Sequence, residues 1–98
     1  MRSQVFILLW LCVSSFCVHG TAQETYEHYC ITCHQEGVGG APKFENEGDW
    51  KSRLKGKTLE DLVNAAIAGI NVMPPQGTCY ECSKEDIKAA IEYMLPKS

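Results

Sequence analysis

The chain has 98 residues, with 9 basic and 12 acidic side chains, a formal charge of −3 and 6 cysteines. That length allows one domain. The acidic balance excludes the basic footprint of a nucleic-acid-binding module.

Residues 1–22 read as a targeting segment. They open on a basic residue, Arg2, continue through an apolar run from Val5 to Val18, and end in small residues. That order describes a secretory signal peptide. Ser14 and Ser15 interrupt the run, which falls short of the about 20 apolar residues that a spanning helix needs. Retention as an anchor is the alternative. Cleavage fits after Gly20 or after Ala22. Neither Cys12 nor Cys17 follows a Gly, Ala or Ser, so a lipid anchor is not expected. Residues 23–98 then form the domain, with 8 basic and 12 acidic side chains and a formal charge of −4. A core of this size is marginal and usually needs a staple, a metal or another buried partner. Export means an oxidising compartment, where cysteine pairs can be oxidised.

In the domain, Glu24 to Cys33 reads as a short helix, with Tyr26, Tyr29, Cys30 and Cys33 at helical spacing. "EGVGGAPKFENEGD" carries four glycines and a proline and reads as a loop. "WKSRLKG" allows one or two helical turns ended by Gly56. Thr58 is a good N-cap, Glu60 and Asp61 suit a helix start, and Gly69 suits its end. Leu59, Leu62, Val63, Ala66 and Ile67 form the apolar stripe between them. Pro74 and Pro75 break the chain after Met73. Ser83 caps a last helix with Ile87, Ala90, Ile91, Met94 and Leu95 on one face, limited by Pro96. No strand pattern occurs, so an all-α fold is expected.

The chemistry concentrates in "CITCH", residues 30 to 34. A zinc clamp would pair Cys30 and Cys33 with Cys79 and Cys82. Yet 45 residues separate Cys33 from Cys79, against roughly 15–20 in zinc ribbons. A dithiol switch normally accompanies a βαβ pattern, which is lacking. The remaining option uses His34. Two thiols three apart on a helical turn can form thioethers with the two vinyl groups of a haem, and the next residue lies close to the iron axis. A haem would also fill the undersized core.

The iron would keep a second face for another ligand. His28 shares a helix with Cys30 and Cys33 and belongs on the near side or in solvent, while His19 lies in the targeting segment. Met94 sits in the stripe of the last helix and reads as core. Met73 lies on a loop stiffened by Pro74 and Pro75, which suits a thioether ligand. Its alternative is to fill a gap in the core.

With these residues in view, the chain resembles the class I cytochromes c, and in particular the small periplasmic cytochromes of the c-five type. The resemblance runs through "YEHYCITCHQEGVGGAPKF", "WKSRLKG", "AAIAGINVMPPQGTCYECS" and "IKAAIEYM", nearly the whole domain. "MPPQGTCYEC" is its most specific part. The resemblance implies a compact helical fold wrapped around one covalently attached haem c. Cys30 and Cys33 would hold the haem, His34 and Met73 would be its axial ligands, and Cys79–Cys82 would be a structural disulfide. Pro42 would offer its carbonyl to the free ring nitrogen of His34. Trp50 and Arg53 match positions near the haem propionates.

The expected function is one-electron transfer between protein partners in the periplasm, by a protein that transforms no substrate and is not an enzyme. The donor would be a quinol-oxidising complex or a dehydrogenase, and the acceptor a terminal oxidase or reductase. A monomer or weak dimer without a transmembrane span or a nucleic-acid partner is expected. The rivals are a haem enzyme or gas sensor with an open iron, and a zinc or thiol-exchange module without haem. The alternating charges from Lys43 to Lys57 read as a solvated face, with a docking surface as the alternative.

Overall fold

The computed structural model describes residues 21–97. The expected targeting segment therefore lies outside the described residues, except for Thr21 and Ala22.

Thr21 opens α1 (Ala22–Thr25), the first helix among the described residues. Its hydroxyl accepts from the Glu24 amide at 3.1 Å, and the Glu24 carboxylate accepts from the Thr21 amide at 2.8 Å. This reciprocal pair satisfies two amides that a helix start leaves without partners. One π-helical turn follows, Tyr26–Cys30, and then α2 (Ile31–His34). The Ile31 amide reaches back five residues to the Tyr26 carbonyl. The extra residue in that turn shifts the face that the chain presents after it. Such single π-turns are frequent at functional sites.

The helix α3 (Glu47–Leu54) starts earlier than "WKSRLKG" suggests, so the loop reading of Glu47 to Asp49 is corrected. The cause is Asn46, whose side-chain oxygen accepts from the Asp49 amide at 2.9 Å. The two helices with strong sequence signals are α4 (Leu59–Ala68), capped by Thr58 with Asp61, and α5 (Lys84–Met94), capped by Ser83 with Asp86. Gly69 ends α4 at φ 91, a conformation that other residues rarely adopt. No strand forms among the described residues; only Ile70 and Met73 pair as an isolated bridge.

α4 packs on α5, and α1 packs on α5 from another side. Val63, Ala66, Ile87, Ala90, Ile91 and Met94 are buried between them. Tyr26, Phe44 and Tyr93 close one end of the core, with ring centroids 5.0 to 5.6 Å apart and tilted planes. Tilted aromatic pairs are favourable because ring edges are positive and faces negative. No helix among the described residues is long and apolar enough to cross a membrane.

Candidate functional site

The helical core stops short of closing on itself. A cavity of about 380 Å³ lies between α2 on one wall and the segment after α4 on the other, with Ala66, Ile87, Ala90, Ile91 and Met94 also lining it. Cys30, Cys33, His34 and Met73 all line this one cavity. Arg53, Pro42 and His28 line it as well, and His28 is exposed.

His34 is buried. Its Nδ1 lies 2.8 Å from the Pro42 carbonyl oxygen. A carbonyl can only accept, so Nδ1 carries the proton and Nε2 keeps its lone pair. Burial pulls the imidazole below its ordinary pKa, with Arg53 acting in the same direction and the Pro42 bond opposing. A neutral imidazole with a fixed tautomer is the form that ligates a metal.

Two neighbours hold Pro42 in place. The Trp50 indole N–H donates to the Lys43 carbonyl at 2.8 Å, and the Lys43 amide donates to the Asp49 carboxylate at 3.1 Å. Trp50 is buried and stacks nearly parallel to His34, with centroids 6.1 Å apart and planes 13° from one another. It stands behind the imidazole rather than among the residues lining the cavity. Its one donor is committed to the backbone. Arg53 does line the cavity and donates to the Gly40 carbonyl at 2.6 Å.

The far wall is a pair of tight turns. Ile70 and Met73 exchange both backbone hydrogen bonds, at 3.1 and 2.8 Å, around Asn71 at φ 53. Two glycines lie close to it. A Cβ on Gly69 would lie 3.2 Å from the Met73 carbonyl. A Cβ on Gly39 would lie 2.6 Å from a side-chain methyl of Val72, so any larger residue there would push the exposed Val72 side chain aside. Val38, Ile70 and Val72 are exposed although they line the cavity, and they form an apolar part of its mouth.

Beyond Met73, Cys79 and Cys82 are joined in a disulfide with a Cα–Cα distance of 5.4 Å. The Tyr29 hydroxyl donates to the Glu81 carboxylate at 2.6 Å and ties this clip to the helix bearing Cys30. The roles of Tyr29, Glu81 and Gln76 are not legible in the sequence, because their partners come from remote segments or from backbone carbonyls.

The donor set separates the rival chemistries. With Cys79 and Cys82 bonded to each other, a four-cysteine zinc site is excluded. Among the described residues, no group of three or more His, Cys, Asp or Glu side chains gathers as a bare-ion site. Burial pushes the Cys30 thiol up to about 11. An exchange dithiol needs the opposite, a depressed pKa that exposes thiolate at neutral pH. Two free half-buried thiols, an imidazole with a free lone pair and a thioether around one largely apolar cavity fit a covalently held haem.

The charged stretch stays at the surface. Lys43 pairs with Asp49 at 3.2 Å, while Lys51, Arg53, Lys55 and Lys57 are exposed.

Comparison with known proteins gives a consistent picture. The family model described as "Cytochrome C oxidase, cbb3-type, subunit III" matches residues 19–94. Cytochrome c5 of Ectopseudomonas mendocina is 40% identical over 75 residues, which cover 76% of this chain and 86% of that protein. A mono-haem ferrocytochrome c from Shewanella putrefaciens superposes with a TM-score of 0.71 at 41% identity, covering 84% of this chain and 100% of that one. A chain from an electron transfer complex of nitrite reductase with cytochrome c superposes with a TM-score of 0.69 at 27% identity, covering 80% of this chain and 94% of that one.

Proposed function

The chain belongs to the class I cytochromes c, as a small cytochrome of the c5 type with one covalently bound haem c, and from that premise we propose that it carries single electrons between redox proteins of the periplasm, with His34 and Met73 as the residues that would bind the haem iron. The observation that carries this reading is the convergence of Cys30, Cys33, His34 and Met73 on one cavity. The bound haem supplies the Fe(III)/Fe(II) couple.

This chain's residues do the rest. Cys30 and Cys33, both free and lining the cavity, would hold the haem through thioethers. His34 presents Nε2, oriented by the Pro42 carbonyl, and that bond raises the imidazole's basicity. Met73 offers a soft sulfur from a loop that Pro74 and Pro75 stiffen. Two protein ligands leave no position for substrate, so the protein is a carrier and not an enzyme. Ligands that stay in place in both oxidation states keep the structural change on electron transfer small. Val38, Ile70 and Val72 would form an apolar contact surface at the mouth of the cavity, where a partner could approach the haem. The partners are redox proteins, a donor dehydrogenase or quinol-oxidising complex and an acceptor oxidase or reductase. The likeness to a cytochrome in complex with nitrite reductase supports this class of partner. The test of the reading is electron exchange: the purified reduced protein should be oxidised by such a reductase, at a rate that depends on salt if charges steer docking. A protein that holds haem but exchanges electrons with no protein partner would refute it.

Residues 1–20 act as a cleaved signal, with cleavage after Gly20. Thr21 and Glu24 form the reciprocal cap of α1. Cutting after Ala22 would remove that cap, at a cost of about 1 kcal/mol. Cutting after Gly20 leaves Thr21 in place and turns its amide into an ammonium facing the Glu24 carboxylate. Intact-mass measurement of the exported protein should find Thr21 as the first residue. A mature chain beginning at Gln23 would refute this choice, and an uncut chain would favour the anchor.

The Cys79–Cys82 disulfide is structural. Its closed loop of about four residues limits the loop-entropy gain to about 2 kcal/mol. Cys79→Ser combined with Cys82→Ser should therefore lower the thermal midpoint and leave the visible spectrum at room temperature unchanged. Loss of electron transfer at full stability would reassign the pair to redox work.

A further inference from the structure

Gln76 sits three residues after Met73, in the turn Pro75–Thr78. Three consecutive residues there are left-handed: Gln76 at φ 57, Gly77 at φ 57 and Thr78 at φ 73. Glycine accepts that conformation freely, whereas glutamine and above all a β-branched threonine do not. The turn therefore needs an external hold. The Gln76 carboxamide supplies one. Its Nε2 donates to the Cys79 carbonyl at 3.1 Å and to the Cys82 carbonyl at 3.1 Å. Both of its hydrogens are used. Both acceptors belong to the disulfide-closed clip, so the side chain spans the whole clip. The Cys79 amide in turn donates to the Gln76 carbonyl at 3.0 Å, and the Gly77 amide donates to the Pro74 carbonyl at 2.9 Å. Gly77 faces the ligand side chain: a Cβ built on it would lie 3.6 Å from the Met73 methyl carbon.

We infer that Gln76 is a positioning residue for the Met73 thioether, locking the turn after Met73 onto the Cys79–Cys82 clip and so setting how rarely the ligand loop opens. The inference rests on Met73 being the iron ligand. A loop ligand leaves by local opening, and the bonds broken on opening set the open population. Losing two neutral hydrogen bonds raises that population about tenfold or more. A competing ligand for the iron reads this population directly, because its apparent dissociation constant scales inversely with the open fraction.

The test is titration of the oxidised native haem protein with imidazole. The readout is loss of the weak sulfur–iron absorption band, for the unaltered protein, Gln76→Leu and Gln76→Gly. Leucine keeps the bulk and removes the donors. Glycine removes the donors and also relieves the left-handed strain, so it separates the side chain from the backbone and carries the test if the leucine variant fails to fold. Both variants should bind imidazole more tightly than the unaltered protein, Gln76→Leu about tenfold and Gln76→Gly by less because the relieved strain offsets part of the loss, at temperatures where circular dichroism shows full folding. They should also yield their disulfide to a thiol reductant faster. If Gln76→Gly binds imidazole like the unaltered protein, the carboxamide does not hold the ligand loop and the inference is overturned. If the unaltered protein lacks the sulfur–iron band, the Met73 assignment itself falls and takes this inference with it.

Discussion

Met73→Ala is expected to abolish the sulfur–iron band of the oxidised protein and to let carbon monoxide bind the reduced form stoichiometrically. Alanine keeps the backbone pair with Ile70, because both of those hydrogen bonds are main-chain. The turn should therefore persist while the thioether is lost. The reduction potential should fall as well, since thioether sulfur favours the reduced iron and water in its place does not. The control is the other methionine of the cavity. Met94 also lines it, but is 3% exposed, lies on α5 and packs in the buried core. Met94→Ala should destabilise the protein by about 2–5 kcal/mol, the usual range for emptying a buried methionine site, and leave the iron closed. If Met94→Ala opens the iron and Met73→Ala keeps the band, the ligand assignment is reversed.

Cys30→Ala combined with Cys33→Ala should give colourless, largely unfolded protein. The thioethers proposed for Cys30 and Cys33 would be the covalent hold on the haem, and the core lines the cavity that would receive it. A cavity of about 380 Å³ left without the ring costs at most on the order of 9 kcal/mol at about 24 cal/mol per Å³. That is an upper bound, since the cavity opens to solvent. It still matches the about 5–15 kcal/mol that holds a small domain together. The single variants should each keep one thioether, retain colour through denaturation, and unfold at lower temperature than the unaltered protein. Circular dichroism of the double variant checks the claim; a cooperative unfolding transition close to that of the unaltered protein would show that the helices fold without the haem.

The sequence discloses the parts of this structure that depend on neighbours in the chain. Thr58 and Ser83 announce α4 and α5 because a cap and its partner lie three residues apart. The cysteine pair and His34 point to the haem because their spacing suits it while the 45 residues before Cys79 and the missing βαβ pattern disfavour the rivals. The start of α3 was hidden. Asn46 caps it from within a stretch rich in glycine and acid, where composition argues for a loop. The π-turn at Tyr26–Cys30 was hidden too, because a one-residue shift in hydrogen bonding leaves the apolar spacing of a short helix almost unaltered.

Other features depend on contacts between distant segments. The Pro42 carbonyl on His34 follows from family likeness, but its support by Asp49 and Trp50 through Lys43 needs the folded chain. Trp50 matched a position near the haem propionates by likeness, and in the structure it stacks behind His34 with its N–H on the Lys43 carbonyl. Gln76 lies within "MPPQGTCYEC", but nothing local in the sequence assigns its side chain a role. Its meaning appears only when two backbone carbonyls converge on its amide.

As proposed, this cytochrome is a carrier whose iron would be closed by His34 and Met73. The most direct test is the visible spectrum of the purified native protein, oxidised and reduced, with carbon monoxide added to the reduced form. An iron closed on both faces should show the sulfur–iron band in the oxidised spectrum and no change in the reduced spectrum on adding carbon monoxide. A missing band together with rapid carbon monoxide binding would contradict it, and would place the protein among the haem enzymes or gas sensors with an open iron.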